Sequence, residues 1–502
     1  MKKIILAVAG IAVLAAAGWS ALWFTGRGEI ESRLDAEIAA LAAQGVEITH
    51  GAREIGGFPL AYSVRHSDVT VRNPEQGYAY ILPELTTEVT AQDVDRLVTA
   101  FPEKFRAEVQ VPSEDGSGTR TIAMDIEAEN LIFITDGLPG AEQEISSTSD
   151  RTLVVSAGAD QPFNFAIDFI GSDYRGKLPA QGSAEPLSGV ATIERVDYAY
   201  SVEAPTGGTV KIEGSVDDTR VTASSNMRDQ ADFAAMFSSG GDALMEAVYQ
   251  TGAARFAMHS DDSETGQGGV YSGDSGSTAG TFSIKDGRLE IASESRANQM
   301  TFAPEPPLAA SGGKPIGWSM RTIEGIYETP LVPSDAPSPL TVRFALDEVV
   351  PDDALWGMID PQGAIERTPA RLIIDLDGSA RITRELSTVR PGEAPPIEIG
   401  NMSVKALDMS ALGAAITTRG DVEFLQPMWI PEGSLTVTLT NVMEAIDRLI
   451  EAGILVPEYK QTAAVLTAIY TTPGENPGEL VSEVKLGLDG ITVNGQPVSA
   501  GQ

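Results

Sequence analysis

Residues 282–291 read Phe-Ser-Ile-Lys-Asp-Gly-Arg-Leu-Glu-Ile, and this stretch decides the fold class of the chain. Apolar and polar side chains alternate on both sides of Asp286-Gly287, as they do in strands with one buried face. Asp-Gly is a favoured pair for a two-residue hairpin turn. The stretch therefore predicts a β-hairpin in which Phe282–Ile284 pairs with Leu289–Ile291.

The same signals recur along the chain from Val46 onward. Further tight turns are predicted at Asp377-Gly378, Asp489-Gly490 and Asn494-Gly495. The other strand candidates are Ala61–Val64, Val69–Val71, Leu131–Ile134, Asn164–Ile170, Val190–Ile193, Val210–Ile212, Val221–Ala223, Leu372–Leu376 and Ile491–Val493. No repeat of fixed period is present. We therefore expect a β-rich α+β fold of extended antiparallel sheets with a few packing helices.

Helices are predicted where apolar residues recur at intervals of three and four. Residues 26–44 form a stalk helix with an apolar stripe, and Gly45 ends it. The strongest pair is Asn441–Ala452 and Glu458–Tyr470, expected as an antiparallel hairpin of helices against a sheet. Shorter helices are predicted at Asp93–Phe101, Asp229–Phe237 and Asp242–Tyr249.

The N-terminus carries a targeting signal. Lys2-Lys3 precede an uncharged run of residues 4–24, long enough to cross ~30 Å of hydrocarbon as a helix. With the positive residues kept inside, we expect the run to be a single inner-membrane span and the rest of the chain to lie in the periplasm. Cleavage as a signal peptide after Ala15-Ala16-Ala17 is the alternative, and it also exports the body.

The chain is divided into three parts. Residues 1–25 are the anchor or signal segment, 26–310 an N-terminal β-rich lobe, and 311–502 a C-terminal β-rich lobe with the helix pair 441–470. The boundary follows the turn-rich connectors Ala303–Lys314 and Pro333–Pro339. Ser260–Ser277 is interpreted as a Ser/Gly/Asp-rich loop.

Charge and composition exclude several functions. The formal net charge of −36 repels nucleic acid phosphates, so nucleic acid binding is not expected. The chain has no Cys, which excludes disulfides and thiolate chemistry, and only three His. We expect no metal site, no cofactor site and no catalytic residues.

Two short motifs resemble functional sites, but a structural explanation is preferred for each. Gly273-Asp274-Ser275-Gly276 resembles the nucleophile segment of trypsin-like serine proteases, but the His-containing motif of that family is missing. A turn is the preferred interpretation, and no triad is predicted around Ser275. Asp261-Asp262-Ser263-Glu264 has oxygen ligands for a hard cation but lacks an EF-hand pattern, so a solvated loop is preferred.

Large apolar side chains are dispersed among the predicted strands. Ordinary core packing and an apolar groove for lipid chains both bury one face of each strand, so periodicity leaves the two open. The side chains concerned are Phe163, Phe165, Phe169, Phe282, Trp318, Trp356, Phe424 and Trp429.

Three segments together resemble the bacterial domain-of-unknown-function 2125 (DUF2125) family. They are Ile55-Gly56-Gly57-Phe58-Pro59-Leu60, Asp353–Pro361 with Pro369 behind it, and Gly490–Pro497. The resemblance implies no known reaction and no catalytic residues. The anchor, the early Gly-Phe-Pro step and the β body are also similar in architecture to AsmA/TamB-like lipid-handling envelope proteins. In that step we expect Gly57 to turn the chain, Phe58 to enter the core and Pro59 to fix the next strand.

The sequence thus predicts a non-enzymatic, membrane-anchored periplasmic envelope protein. One hypothesis is that it binds lipid or another apolar ligand. The alternative is an interaction scaffold with a fully packed core and no ligand. Protein partners are not predicted.

Overall fold

The computed structural model describes residues 26–498 except 29, 33, 37, 40–41, 44, 59–60, 91–92, 113–117, 139, 159–162, 181, 204–207, 228–242, 263–266, 390–392, 395 and 426–429. The chain divides into two compact units, the N-terminal unit (1–203) and the C-terminal unit (204–502). Strand accounts for 67% and helix for 11%, and the strands pair antiparallel. The predicted β-rich antiparallel class is therefore confirmed.

The N-terminal unit is an antiparallel meander of long strands. They are β1 (Glu47–Thr49), β2 (Arg53–Gly56), β3 (Ala61–Asn73), β4 (Tyr78–Thr90), β5 (Asp93–Ala100), β6 (Lys104–Pro112), β7 (Thr119–Glu129), β8 (Ile132–Asp136), β9 (Gln143–Ala157), β10 (Phe163–Leu178) and β11 (Leu187–Glu203). β1 and β2 both pair with β3, and β5 and β6 both pair with β4. β7 and β8 likewise both pair with β9, so each of these pairs acts as one interrupted strand.

The C-terminal unit continues the same pattern. Its strands are β12 (Thr209–Ser225), β13 (Met245–Thr251), β14 (Ala254–Asp262), β15 (Gln267–Ser275), β16 (Ser277–Lys285), β17 (Arg288–Glu305), β18 (Ile316–Pro330), β19 (Ser338–Pro351), β20 (Ala370–Ile382), β21 (Ile397–Ala411), β22 (Ala414–Leu425), β23 (Ile430–Thr440), β24 (Thr472–Pro473), β25 (Glu479–Gly487), β26 (Gly490–Val493) and β27 (Gln496–Pro497). Neighbours in sequence are mostly neighbours in the sheet, as short connections favour.

Residues with positive φ interrupt several long strands near their middle. In β3, Tyr62 and Val64 are buried before Asp68 (φ 50°), and Val69 and Asn73 are buried after it. The buried positions thus change from even to odd numbers across the interruption. One face of the sheet can therefore stay apolar along the whole strand. The other such residues are Asn130, Gly171, Asp218, Ala297 and Glu348.

Four α-helices are described. They are α1 (described positions of 26–42), α2 (Asp353–Ile359), α3 (Val442–Glu451) and α4 (Glu458–Tyr470). Single 3-10 turns cover Ala309–Ser311 and Leu386–Thr388. The predicted stalk helix and the predicted helix pair 441–470 are confirmed, whereas α2 was not predicted.

α2 and the turn after it are held by two aspartates. Asp352 caps the helix, its Oδ1 accepting from the Leu355 N–H at 2.7 Å. Asp360 accepts from the N–H groups of Ala364 (2.9 Å) and Ile365 (2.7 Å). These bonds place Ile365 beside Trp356, in a buried cluster that also contains Ala452 after α3.

The loop predicted at Ser260–Ser277 is wrong, because β14 and β15 run through most of it. Its glycines are required by close packing: a Cβ on Gly269 would lie 2.7 Å from the Phe302 ring, and one on Gly273 would overlap the Phe256 ring. Composition therefore indicated a loop where the glycines make room for aromatic rings.

Two predicted helices are also wrong. Asp93–Phe101 contains β5, and Asp242–Tyr249 overlaps β13. β5 pairs with β4 and β8, and β13 pairs with β12 and β16. As strands, these segments therefore form backbone hydrogen bonds with a neighbour on each side. Sheet pairing overrides the local helical spacing. The predicted helix Asp229–Phe237 lies outside the described residues.

The turns divide between right and wrong predictions. Asp286-Gly287 and Asn494-Gly495 join paired strands as predicted. The hairpin predicted at Asp489-Gly490 is present, but its turn residues are Leu488-Asp489, because Gly490 already pairs with Gly487. The hairpin at Asp377-Gly378 is wrong, because both residues lie inside β20 and pair on both sides. A Cβ on Gly378 would overlap the Asn401 carbonyl oxygen, so this glycine serves a close backbone approach.

The Gly-Phe-Pro step is confirmed in part. Gly57 has φ 95°, and a Cβ there would lie 2.6 Å from the Ala61 carbonyl oxygen. The prediction that Phe58 enters the core is wrong: it is 51% exposed, beyond the last β2–β3 pair, Gly56–Ser63. Pro59 lies outside the described residues.

The unit boundary differs from the one placed near residue 310. That position lies between β17 and β18, which pair along almost their whole lengths. The connector is therefore a turn within one sheet. The predicted membrane segment, residues 4–24, lies outside the described residues. Among those described, no helix combines the length and apolarity needed to cross a bilayer.

We expect Asp360→Ala to lower the urea midpoint of unfolding at pH 7, because the half-buried N–H of Ala364 and the buried N–H of Ile365 lose their acceptor. The hydrogen bond from the Ile365 N–H is the main cause that lowers the pKa of Asp360. A lowered carboxyl pKa stabilises the folded state above the ordinary Asp value of about 3.9. The difference between variant and wild type should therefore shrink as the pH falls below that value.

Asp335→Ala, at an exposed turn residue, is the control and should leave the midpoint unchanged. Equal midpoints for the two variants at pH 7 would contradict the role given to Asp360.

Candidate apolar ligand site

The register of the N-terminal unit aligns apolar side chains in rows across its sheet. The rows are Val71–Tyr80–Ala107–Met124; Phe105–Ile126–Val154–Ile167–Tyr198; Val64–Thr87–Thr99–Phe133–Ser147–Tyr174–Ala191; and Tyr62–Val89–Leu97–Thr135–Ile145–Gly176–Gly189. Register partners share a face of the sheet. We call this face the N-terminal apolar face. None of these residues is Asp, Glu, Lys or Arg.

Charged side chains occupy the opposite face of the same strands. Arg151 Nη2 and Asp168 Oδ2 form an ion pair at 2.7 Å. Lys104 pairs with Glu127 at 2.5 Å on neighbouring strands. These pairs keep charge in contact with water, where each exposed pair adds little stability. The two faces of the sheet thus differ in chemistry.

The C-terminal unit has a longer apolar face. Three of its rows are Ala223–Ala247–Phe282–Ile291–Tyr327–Val342–Leu376–Val404–Gly420–Leu435–Val484; Val221–Tyr249–Gly280–Ser293–Gly325–Phe344–Ile374–Leu407–Thr418–Val437–Ser482; and Thr251–Thr278–Ser295–Ile323–Leu346–Leu372–Met409–Ile416–Leu439–Leu480. Two more are Ile212–Met258–Tyr271–Phe302–Ile316 and Gly214–Phe256–Gly273–Met300–Trp318. We call these rows together the C-terminal apolar face.

The neighbouring row on the other side of this sheet has the opposite character. It reads Ser224–Glu246–Ser283–Glu290–Glu328–Thr341–Asp377–Ser403–Asp421–Ser434–Lys485. The C-terminal apolar face has no Asp, Glu, Lys or Arg in the rows given, although 21% of the chain is charged. Such sorting indicates that charge is excluded from one face along many strands.

In the first three rows of the C-terminal apolar face, five large side chains remain at least 36% exposed: Ile291, Tyr327, Phe344, Leu407 and Met409. Ile291 and Tyr327 are register partners. Phe344 and Leu407 share one row, and Met409 lies two residues from Leu407. The five form one patch, which no other described residue fully covers. A contiguous exposed patch of this kind marks an interaction site more often than chance exposure does.

Aromatic rings lie over glycines on both apolar faces. In the N-terminal unit, a Cβ on Gly189 would lie 2.7 Å from the Tyr174 hydroxyl. In the C-terminal unit, Tyr271 and Phe302 stack with ring centroids 4.2 Å apart. A Cβ on Gly269 would lie 2.7 Å from the Phe302 ring, so glycines make room for aromatic rings on both faces.

α1 covers one part of the N-terminal apolar face. Ile30 packs against the buried pair Tyr62 and Val89, together with Ile55 and Leu97. The predicted stripe residues Ile30, Leu34 and Ile38 are all half-buried. The stalk helix therefore uses its apolar side against the sheet, as predicted.

An arginine joins α1 to the sheet. Arg53 Nη1 donates to Asp35 Oδ1 on α1 at 2.8 Å, and Arg53 Nε donates to His66 Nε2 on β3 at 2.8 Å. The His50 and His66 rings lie 4.7 Å apart between centroids. Burial, followed by the charge of Arg53, lowers the pKa of His66 to about 4. The histidine is therefore neutral at pH 7 and accepts a hydrogen bond.

The aromatic residues singled out from the sequence separate into distinct positions. The N-terminal apolar face also contains three phenylalanines of β10. Phe163, Phe165 and Phe169 lie on the same side of this strand as Ile167, because all four are two residues apart in turn. Phe282 and Trp318 lie on the C-terminal apolar face. Trp356 is buried on α2. Phe424 pairs with Pro431, and Trp429 lies outside the described residues.

The trypsin-like tetrapeptide is part of β15 and the break after it. Ser275 pairs with Ala254, whereas His259 pairs with Val270. Ser275 shares a face with Ala254, its partner on β14. His259 lies five residues from Ala254 on that strand, so it lies on the opposite face of the sheet. Asp261 lies near the end of β14, and residues 263–266 are outside the described range. Across the described positions, no three His, Asp or Glu side chains are grouped to hold a metal ion.

Comparison with known proteins gives one family. The family model described as "Uncharacterized protein conserved in bacteria (DUF2125)" matches residues 23–283. No curated protein and no solved structure matches the chain.

We expect His66→Gln to flatten the pH dependence of stability between pH 6.5 and about 4. In the folded protein burial opposes protonation of His66 most strongly, followed by the charges of Arg53 and His50, and Asp35 favours it more weakly. The unfolded chain takes up the proton near pH 6.5, so the wild type loses free energy of unfolding as the pH falls through this window. The Gln side chain still offers Arg53 a hydrogen-bond acceptor, but it takes up no proton between pH 6.5 and about 4.

The measurement is urea unfolding at several pH values, followed in the full chain. His259→Gln, at an exposed histidine, is the matched control and should keep the wild-type slope. An unchanged slope in His66→Gln would refute the buried, neutral state of His66.

Proposed function

The chain belongs to the DUF2125 family of bacterial proteins, and we propose that it is a non-enzymatic envelope protein that binds lipid on its apolar faces. The observation that carries this proposal is the exposed patch of Ile291, Tyr327, Phe344, Leu407 and Met409 within rows that have no charged residue. An alkyl chain offers only apolar contact and needs such a surface.

The energetics support an apolar ligand. Burial is worth about 25 cal/mol per Å² of apolar surface removed from water, and the patch consists of large side chains on adjacent strands. Acyl chains laid across it would bury both their own surface and that of the sheet. A ligand with many polar groups would lose hydrogen bonds to water and gain few from these rows.

The charge distribution supports a ligand held by its tails. The chain carries a net −36, and the ion pairs Lys104–Glu127 and Arg151–Asp168 lie on the face opposite the N-terminal apolar face. A headgroup would find no cation in the rows of the apolar faces. Apolar burial would therefore hold the ligand, with the headgroup left in water.

The proposed location is the periplasmic side of the inner membrane, with residues 4–24 as a single anchor. Lys2-Lys3 before an uncharged run support this orientation. Cleavage near Ala15-Ala16-Ala17 would instead release the body into the periplasm.

An interaction scaffold is the second candidate, and α4 favours it. Tyr459, Val465, Leu466 and Ile469 on this helix are exposed apolar side chains. A protein partner could cover them without any ligand on the sheet.

We expect Tyr327→Asp to remove at least nine-tenths of the phospholipid that is extracted with the purified full chain. The carboxylate would stand within the apolar patch, where an acyl chain cannot solvate it. The measurement is mass spectrometry of lipids extracted from protein purified in mild detergent.

Ile326→Asp is the matched control, since Ile326 is the next residue, lies on the opposite face and has nearly the same exposure (40% against 39%). It should retain lipid at the wild-type level. A wild-type protein without lipid, or equal losses in both variants, would favour the scaffold.

We also expect protease added to intact spheroplasts to digest the body from residue 26 onward. The reason is the positive N-terminus before the apolar run. N-terminal sequencing of the mature protein separates the two export routes: Met1 supports the anchor, and a start near Gly18 supports cleavage. Protection of the body in spheroplasts, with digestion only after lysis, would contradict export.

A further inference from the structure

We propose that the C-terminal apolar face contains a transverse groove over Ser293 and Gly325 that seats one acyl chain of a zwitterionic phospholipid. This inference rests on the proposed lipid binding and names the site and the ligand class. The groove runs perpendicular to β16, β17, β18 and β19.

Small residues form the floor of the groove. Gly280, Ser293 and Gly325 are successive register partners on β16, β17 and β18. The backbone at Gly325 is not in the left-handed region, so glycine is not required there by its φ. Three small residues in one row therefore lower the surface across three strands.

Larger residues form one wall. The row on one side contains Phe282, Ile291 and Tyr327, and Ile291 and Tyr327 are among the exposed residues of the patch. The row on the other side contains Thr278, Ser295 and Ile323. Each row stands two residues from the floor, or ~6.8 Å along the strand. That spacing admits a single alkyl chain at ordinary contact distances of ~4 Å.

The two ends of the floor differ. A Cβ on Gly280 would lie 2.5 Å from the Tyr249 hydroxyl, so Tyr249 already covers Gly280. A Cβ on Gly325 would meet only Ser293 Oγ, at 3.6 Å. The space above Gly325 is therefore open, and Phe344 follows it in the same row at 36% exposure. The open part of the groove spans Ser293 to Phe344, ~10 Å at the spacing of strands.

Charge decides which lipid fits. No Lys or Arg lies in the floor row or in the row on either side of it, so an anionic carboxylate would gain no partner. The chain as a whole is strongly negative and would repel an anionic ligand. A zwitterionic phospholipid carries no net charge and can leave its headgroup outside the groove.

The test places a photo-crosslinker in the wall. Tyr327→p-benzoylphenylalanine in the full chain, illuminated in cells grown with radioactive phosphate, should yield a protein carrying labelled phospholipid. Ile326→p-benzoylphenylalanine, on the opposite face, should yield at least tenfold less. Mass spectrometry of the adduct identifies the lipid.

The floor is then filled without adding charge. Adding Gly325→Leu to the Tyr327 probe should reduce the phospholipid adduct about tenfold, which corresponds to ~1.4 kcal/mol of binding. Ala292→Leu, next to Ser293 but on the opposite face, is the control of equal bulk and should leave the adduct unchanged. Thermal unfolding of both variants checks that the sheet is intact. If Gly325→Leu does not fold, Gly325→Ser should still reduce the adduct by a smaller factor.

The failures of the two proposals are distinguishable. If Tyr327 crosslinks phospholipid but Gly325→Leu has no effect, the groove is refuted and lipid binding stands. If neither Tyr327 nor a second probe at Met409 crosslinks any lipid, lipid binding itself is refuted. An adduct with free fatty acid, or with a second copy of the chain, would overturn the choice of ligand.

Discussion

The structure depends on one constraint, the antiparallel pairing of long neighbouring strands in a fixed register. Because side chains alternate with a period of two, this register assigns every residue of a strand to one face or the other. A shift by one residue between β17 and β18 would move Tyr327 to the charged face and Ile326 to the apolar one. The separation of charge from apolar surface therefore follows from the hydrogen-bond ladder.

The positive-φ residues extend this separation along strands that are unusually long. β3, β10 and β17 have 13, 16 and 18 residues. Asp68, Gly171 and Ala297 interrupt them in the middle. In β3 the buried positions change parity at the interruption, so the sequence alternation on the two sides of Asp68 is out of phase. A pattern that looks like two short strands in the sequence is one strand with one apolar face.

This explains how much could be predicted. Local chemistry was sufficient for the turn at Asp286-Gly287 and for the helix Glu458–Tyr470, whose signals lie within a few residues. It failed at Ser260–Ser277, where the glycines indicated a loop. They lie in strands instead, and their missing side chains leave room for the rings of Phe256 and Phe302. Those rings belong to different strands from the glycines beneath them. The sequence identified the aromatic residues, but an apolar face depends on the register of many successive strands, from Ala223 to Val484 in one row, which no window of sequence contains.

A one-sided sheet has an energetic consequence for any ligand. Tyr327, Phe344 and Met409 remain exposed in the folded chain, so the hydrophobic gain from this face is incomplete without a cover. A molecule that binds the folded face and not the unfolded chain adds its binding free energy to stability, in proportion to the logarithm of its concentration. The strands do not have to move to receive it, because register alone has already placed the side chains. Ligand binding and completion of the hydrophobic surface are then the same event.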